Sequence, residues 1–149
     1  MMSLPNPLLC SRRGVLGLAA ALAFGAAAPA RGEEPPIKIG LVAALSGGSA
    51  KSGEGITGGL TIAIDEINAA GGINGRKLEL IRRDDESNPS KGQIAARELI
   101  DQEKVAVMFG GIDSPVALGI VPIANKEKVP FFSVWAAATN ITRNGANPN

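Results

Sequence analysis

Residues 37–72 read IKIGLVAALSGGSAKSGEGITGGLTIAIDEINAAGG, and the fold turns on how this stretch is divided. Residues 37–45 are a short, largely apolar run of strand length, as a strand buried on both faces requires. From 54 to 70 the apolar side chains Ile56, Leu60, Ala63, Ile64 and Ile67 fall at a spacing that sets all five on one helical face. Gly71-Gly72 ends that pattern where left-handed backbone is needed. Strand, glycine- and serine-rich loop, helix and glycine stop make the first unit of a parallel α/β sheet.

The same alternation continues downstream. RKLELIRRD (76–84) alternates and carries charge, as a strand near a sheet edge does. Asn88-Pro89 offers an N-cap with proline at the first helical position, and Ile94, Ala95, Leu99 and Ile100 form the inward stripe of a helix reaching about Glu103. VAVMFGG (105–111) is a third strand, and VPFFSVW (129–135) a fourth. Between them Ser114-Pro115 repeats the cap-plus-proline signal, with Val116, Ile120, Ile123 and Ala124 inward. The expected class is α/β, an open parallel sheet with helices on both faces. No internal repeat is present. After Trp135 the segment AAATNITRNGANPN is polar and turn-rich, so four strands have only three helices and the fourth strand lacks one to cover it. The expectation is a fragment of a larger domain.

Upstream, SRRGVLGLAAALAFGAAAPARG combines paired arginines, an uncharged stretch from Gly14 to Ala30 and the small-residue signal Ala28-Pro29-Ala30. Residues 1–30 therefore read as a cleaved export signal rather than a membrane anchor, with Ser11-Arg12-Arg13-Gly14-Val15-Leu16 close to the twin-arginine motif, except for Val15 where phenylalanine is usual. Residues 31–36 read as a solvated leader. Cleavage removes the one cysteine, Cys10, so disulfides and thiolate metal sites are excluded from the mature chain. It also removes two arginines and no acid, leaving 13 basic against 14 acidic residues and no histidine. That balance carries no basic footprint for nucleic acid. Without His, Cys or Tyr, the usual proton shuttles and nucleophiles are also scarce.

Gly53-Glu54-Gly55-Ile56-Thr57-Gly58 is a formal G-x-G-x-x-G, with Asp84 or Asp85 as a candidate ribose-binding acid, so an exported NAD-type enzyme is the alternative reading. Against it, Gly53 comes about eight residues after the strand instead of in the tight turn that ends it. A P-loop fails because Ala50, not glycine, precedes Lys51-Ser52. Ser52 is expected to cap the first helix and Ser114 the third. Asp84-Asp85-Glu86 reads as a solvated turn before Asn88-Pro89, and no metal or cofactor is assigned. In open parallel sheets ligands bind beyond the carboxyl ends of the strands. The serine loop, Asp113-Ser114 and WAAAT converge there, with helix amides available to an anion.

The stretch IKIGLVAALSGGSAKSGEGITGGLTIAIDEINAAGGINGRKLELIRRDDESNPSKGQIAARELI resembles the start of extracytoplasmic solute-binding proteins of the branched-chain amino acid type, most specifically in INAAGGINGRKLEL and DDESNP. The resemblance runs from 37 to 142. It implies a two-lobed, non-catalytic periplasmic protein that closes around an amino acid or related carboxylate and hands it to the permease of an ATP-driven transporter. Residues 37–149 would be part of its N-terminal lobe. It further implies that Ser52 lines the pocket and that Ser114 grips the ligand's carboxylate. Ala136 would offer backbone there, and Ala137 stands where relatives carry a hydroxyl. Thr139, two residues on, is the candidate to compensate. The departure at Ala137 leaves a dicarboxylate, an amide or an aromatic acid open as ligand. With half a cleft, the 149-residue chain is expected to bind weakly or misfold alone.

Overall fold

A computed structural model describes residues 34–143; the export signal expected at 1–30 lies outside them. Four strands, β1 (Ile37–Ala43), β2 (Leu78–Asp84), β3 (Val107–Gly110) and β4 (Phe131–Ser133), form one sheet in the order β2-β1-β3-β4. All pairs are parallel, with Ile37 opposite Leu78, Ile39 opposite Val107 and Met108 opposite Phe131. Helices α1 (Ala50–Ala69), α2 (Pro89–Asp101) and α3 (Ser114–Glu127) make the crossovers, and a short 3-10 turn, η1 (Thr139–Ile141), follows β4. Among the described residues no helix is long and apolar enough to cross a membrane.

The chain leaves the central strand in both directions, so the helices divide between the two faces. Leu41 and Val42 are adjacent and point to opposite sides, yet both are fully buried. Val42 and Met108 pack with Ala96 and Leu99 of α2 and Val116 and Ile120 of α3. Leu41 packs with Ile56 and Leu60 of α1, and Ile39 with Ile64. Each such buried aliphatic side chain contributes about 1.5–3 kcal/mol.

The stops and caps follow local chemistry. Asn88 accepts from the N–H groups of Ser90 and Lys91 with Pro89 behind it, as the sequence requires. Gly71 and Gly72 both take positive φ after α1, and a side chain on Gly72 would strike the Arg76 carbonyl.

The expected inward stripes are only partly right. Ala63 and Ile67 are exposed, and Ile94 is 58% exposed, because α1 and α2 each touch the sheet along a narrower seam than the apolar spacing suggests. The α3 stripe of Val116, Ile120, Ile123 and Ala124 is buried as expected. On the α1 face the sheet is open over β4. Phe132 stacks on Phe109 with ring centroids 5.3 Å apart and remains 55% exposed.

Candidate functional site

The loop leaving β1 is held by a residue on its neighbour. The carboxylate of Asp84, last in β2, accepts from the Leu45 and Glu86 amides at 2.9 Å, from the Ser46 amide and, at 2.6 Å, from the Ser46 hydroxyl. Partial desolvation opposes ionisation of Asp84, but these donors outweigh it and hold its pKa below the ordinary carboxylate value. The serine loop is thus pinned before it turns into α1.

α1 begins at Ala50, four residues earlier than the apolar spacing suggests, so Ser52 sits inside its first turn and is not its cap. Ser49 holds the cap position and makes no capping bond with its side chain; its hydroxyl reaches Asp113 at 3.4 Å instead. Gly53 explains the early start. A β-carbon there would lie 1.9 Å from the Ala44 carbonyl oxygen and 3.5 Å from Ile112, so glycine lets the first turn of α1 press against the ends of β1 and β3. Gly53, Gly55 and Gly58 all lie within this helix, so the G-x-G-x-x-G match forms no phosphate-cradling turn between strand and helix.

At α3 the cap is Asp113, not Ser114, again without a side-chain capping bond. Asp113 instead uses its carbonyl to accept from Val116 and Ala117. Ser114 becomes the first helical residue, half-buried, and its hydroxyl makes no hydrogen bond among the described residues. Pro115 sits one place further into the helix than the cap-plus-proline rule assumes, which is why the sequence reading slipped by one residue.

The third segment joins through backbone. Val134 donates to the Gly110 carbonyl and Ala136 to the Gly111 carbonyl, at 3.0 and 2.9 Å. Ala136 and Ala138 turn toward Ala117, Val121 and Ile141, while Ala137 and Thr139 are exposed. The turns after β1, β3 and β4 therefore meet at the carboxyl edge of three neighbouring strands: Ser49 and Gly53 against Ile112-Asp113, and Ala136 against Gly111. Backbone bonds and the Ser49–Asp113 contact join these segments; no hydrogen bond directly joins the side chains of Ser52, Ser114 and Thr139. A cavity of about 110 Å³ between α3, β4 and η1, lined by Val121, Phe131 and Ile141 among others, includes none of the three.

One expectation is overturned here. Asp85 does not lie in a solvated turn; it is 1% exposed, because its Cβ tucks beneath Gly92 of α2 and its N–H donates to the Ala43 carbonyl. Burial, with added repulsion from Asp113 and Asp84, raises its pKa despite the Ser87 N–H it accepts. The sequence reading brought the serine loop and Asp113-Ser114 to this rim and weighed Asp84 and Asp85 at the end of the second strand, but it missed the contacts that Ser49, Asp84, Asp85 and Asp113 make here. Those contacts cross between turns far apart in the chain, and no local pattern marks them. Among the described residues no group of three or more His, Cys, Asp or Glu is placed to hold a metal ion.

The sequence and the fold have counterparts among proteins already known. Residues 36–149 match the family described as periplasmic binding protein. The chain belongs to the periplasmic binding protein family. The Leu/Ile/Val-binding protein homolog 7 of Brucella suis is 37% identical over 132 residues, covering 88% of this chain and 32% of its own length. An amino acid binding protein of Pseudomonas aeruginosa is 35% identical, covering 90% of this chain and 35% of its own. The chain spans about a third of the length of these curated relatives. Among solved structures, the branched-chain amino acid transporter substrate-binding protein LivJ of Streptococcus pneumoniae, in complex with isoleucine, superposes with a TM-score of 0.70 at 34% identity, over 72% of this chain and 31% of that one. A solute-binding protein of an ABC transporter from Rhodopseudomonas palustris, in complex with 3,4-dihydroxybenzoic acid, gives 0.69 at 32% identity, over 78% and 31%. The family is one of solute-binding proteins, and the fold is its parallel sheet in part.

Proposed function

We propose that this chain is the N-terminal part of a periplasmic solute-binding component of an ABC transporter, exported by the signal at 1–30. It holds a small carboxylate at the edge formed by the turns after β1, β3 and β4 and presents it to a membrane permease. The observation that carries this reading is Ser114: a half-buried hydroxyl not used for capping, at the positive end of α3, beside two neighbouring turns. In this arrangement Ser114 and the first amides of α3 take the carboxylate, Ala136 contributes backbone, and Ser52 flanks the ligand from α1. Closure of the lobes by hinge motion then gives the form that the permease recognises.

The exposed Ala137 leaves a hydroxyl missing from the rim, and Thr139, also exposed, is the residue that replaces it. Relatives bound to isoleucine and to 3,4-dihydroxybenzoic acid mark out two ligand chemistries, an aliphatic amino acid and an aromatic acid. Calorimetric titration of the full-length protein with leucine, isoleucine and 3,4-dihydroxybenzoate tests the reading. One of them is expected to bind with a Kd of about 1 μM or tighter, and Ser114→Ala to weaken it roughly tenfold or more, the cost of one lost charge-assisted hydrogen bond. A folded protein indifferent to all three, or a Ser114→Ala variant with unchanged affinity, sinks the assignment.

A further inference from the structure

The β1–β2 ladder ends in a side chain instead of a backbone group. With Ala43 opposite Asp84, the Asp85 N–H donates to the Ala43 carbonyl at 3.1 Å, and a continued parallel ladder would next carry the Leu45 N–H to the Asp85 carbonyl. That carbonyl is already taken by the Asn88 N–H at 2.7 Å, which closes the turn into α2. Asp84 supplies the missing acceptor. Its Oδ1 takes the Leu45 amide at 2.9 Å and the Ser46 amide at 3.4 Å, and its Oδ2 takes the Ser46 hydroxyl at 2.6 Å.

Oδ1 also accepts from the Glu86 amide, so one carboxylate ties the β1–α1 loop to the β2–α2 turn. Beyond Ser46 the backbone takes positive φ at Gly47, whose β-carbon position lies 3.9 Å from the Glu86 carbonyl oxygen. At the other end of the loop the Ser52 and Gly53 amides bond to the Ser49 carbonyl, and the Ser49 hydroxyl reaches Asp113. The loop is anchored at both ends. Between the anchors stand Gly47 and Gly48, the residue type with most conformational freedom to lose.

We propose that Asp84 is a positioning residue for ligand binding: it holds the serine loop in its ligand-facing shape before the solute arrives, without touching the solute. The identity of the ligand rests on the transport reading above; the clamp does not. Three N–H donors and one O–H donor at its two oxygens leave Asp84 almost no acceptor capacity for a ligand group, and as an anion it repels a carboxylate solute. Its contribution is preorganisation, since a loop already ordered in the free protein need not be ordered on binding. Without the clamp that cost returns when the solute binds, and it falls on affinity more than on the fold.

Two measurements on the full-length protein and its Asp84→Ala variant test this. Amide hydrogen exchange without solute is expected to quicken about tenfold in the variant across residues 47–53, beyond the amides that lose Asp84 itself. Calorimetry with whichever of leucine, isoleucine and 3,4-dihydroxybenzoate the native protein binds is expected to give a Kd about tenfold weaker. Ile100→Val, which trims a buried side chain near the far end of α2, is the control: it is expected to lower the thermal midpoint by a few degrees and to keep the native loop exchange and Kd. Ser46→Ala removes one bond of the clamp and, should Asp84→Ala not fold, stands in for it with a loss of about threefold. Added to Asp84→Ala it is expected to cost nothing more, because Ser46 acts through Asp84.

Exchange at the native rate across 47–53 in a folded Asp84→Ala overturns the proposal, as does an unchanged Kd or a loss that Ile100→Val reproduces. Full additivity of the two alanine variants overturns it too, by showing that Ser46 meets the solute directly. A native protein that binds none of the three solutes, with a variant loop that still loosens, counts against the transport reading and leaves the clamp standing.

Discussion

Gly53 shows how much one residue decides at this rim. Its neighbours leave no room for a side chain: the Ala44 carbonyl oxygen is 1.9 Å from where a β-carbon would stand. Backbone, unlike the tip of a flexible side chain, does not swing aside, so Gly53→Ala must displace the first turn of α1 from the ends of β1 and β3. The expected cost is about 2 kcal/mol or more, read as a lower urea midpoint at unchanged slope. A neighbouring glycine serves as control, since Gly55 has no atom within 4 Å of its β-carbon position, and Gly55→Ala is expected to stabilise by up to about 1 kcal/mol. The glycines of this loop and helix therefore differ in kind. One allows a close approach; others are helix positions where any small residue would do.

At the scale of elements, α2 and α3 pack closely because small residues meet there. A β-carbon on Gly92 would come 2.6 Å from Val116 Cγ1, and Ala95, Ala96 and Ala124 line the same core. The position of α2 is set at its start by Asn88, whose side chain accepts two amides. Asn88→Ala removes both bonds and is expected to cost about 1 kcal/mol, while Asn88→Asp keeps them and is expected to lie within about 0.5 kcal/mol of the native chain. Chemical denaturation of the pair checks this. Equal losses in both variants would mean that Asn88 acts through packing and not through its cap. At the far end of α2 the charges are arranged across elements: Lys38 of β1 and Arg83 of β2 both bind Glu103, and Arg83 also binds Glu98. These groups are partly solvated, so they set register more than they add stability.

For the molecule as a whole, the two faces of the sheet are unequal. The α2–α3 face is closed, whereas the α1 face ends short of β4 and leaves the Phe109–Phe132 pair half in water, with Trp135 66% exposed beyond it. Phe132→Thr is expected to lower binding of a hydrophobic dye by this chain clearly, while costing about 1 kcal/mol or less in stability, the value of one aromatic stack. Unchanged dye binding would show that the open face is not what the dye reads. β2 and β4 are the two edges. β2 carries Glu79, Arg82 and Arg83, charges suited to an edge, whereas β4 is three residues long.

The order of elements was legible from the sequence because apolar periodicity and Asn-Pro or Gly-Gly punctuation are local signals, each set by a few neighbouring residues. The parallel class followed from the alternation of strand and helix. Helix starts were less legible: Ser49 and Asp113 displaced Ser52 and Ser114 from the caps because a close approach to β1 and β3, not local propensity, chose where α1 and α3 begin. The bonds from Ser49 to Asp113 and from Asp84 to Ser46 join residues 64 and 38 positions apart, and Asp85 is buried between Gly92 of α2 and the end of β1, where the Ala43 carbonyl accepts its N–H. No local pattern encodes such pairings. They exist only once parallel strands bring their carboxyl ends side by side, and the sheet that does so is held by contacts spread over the whole chain.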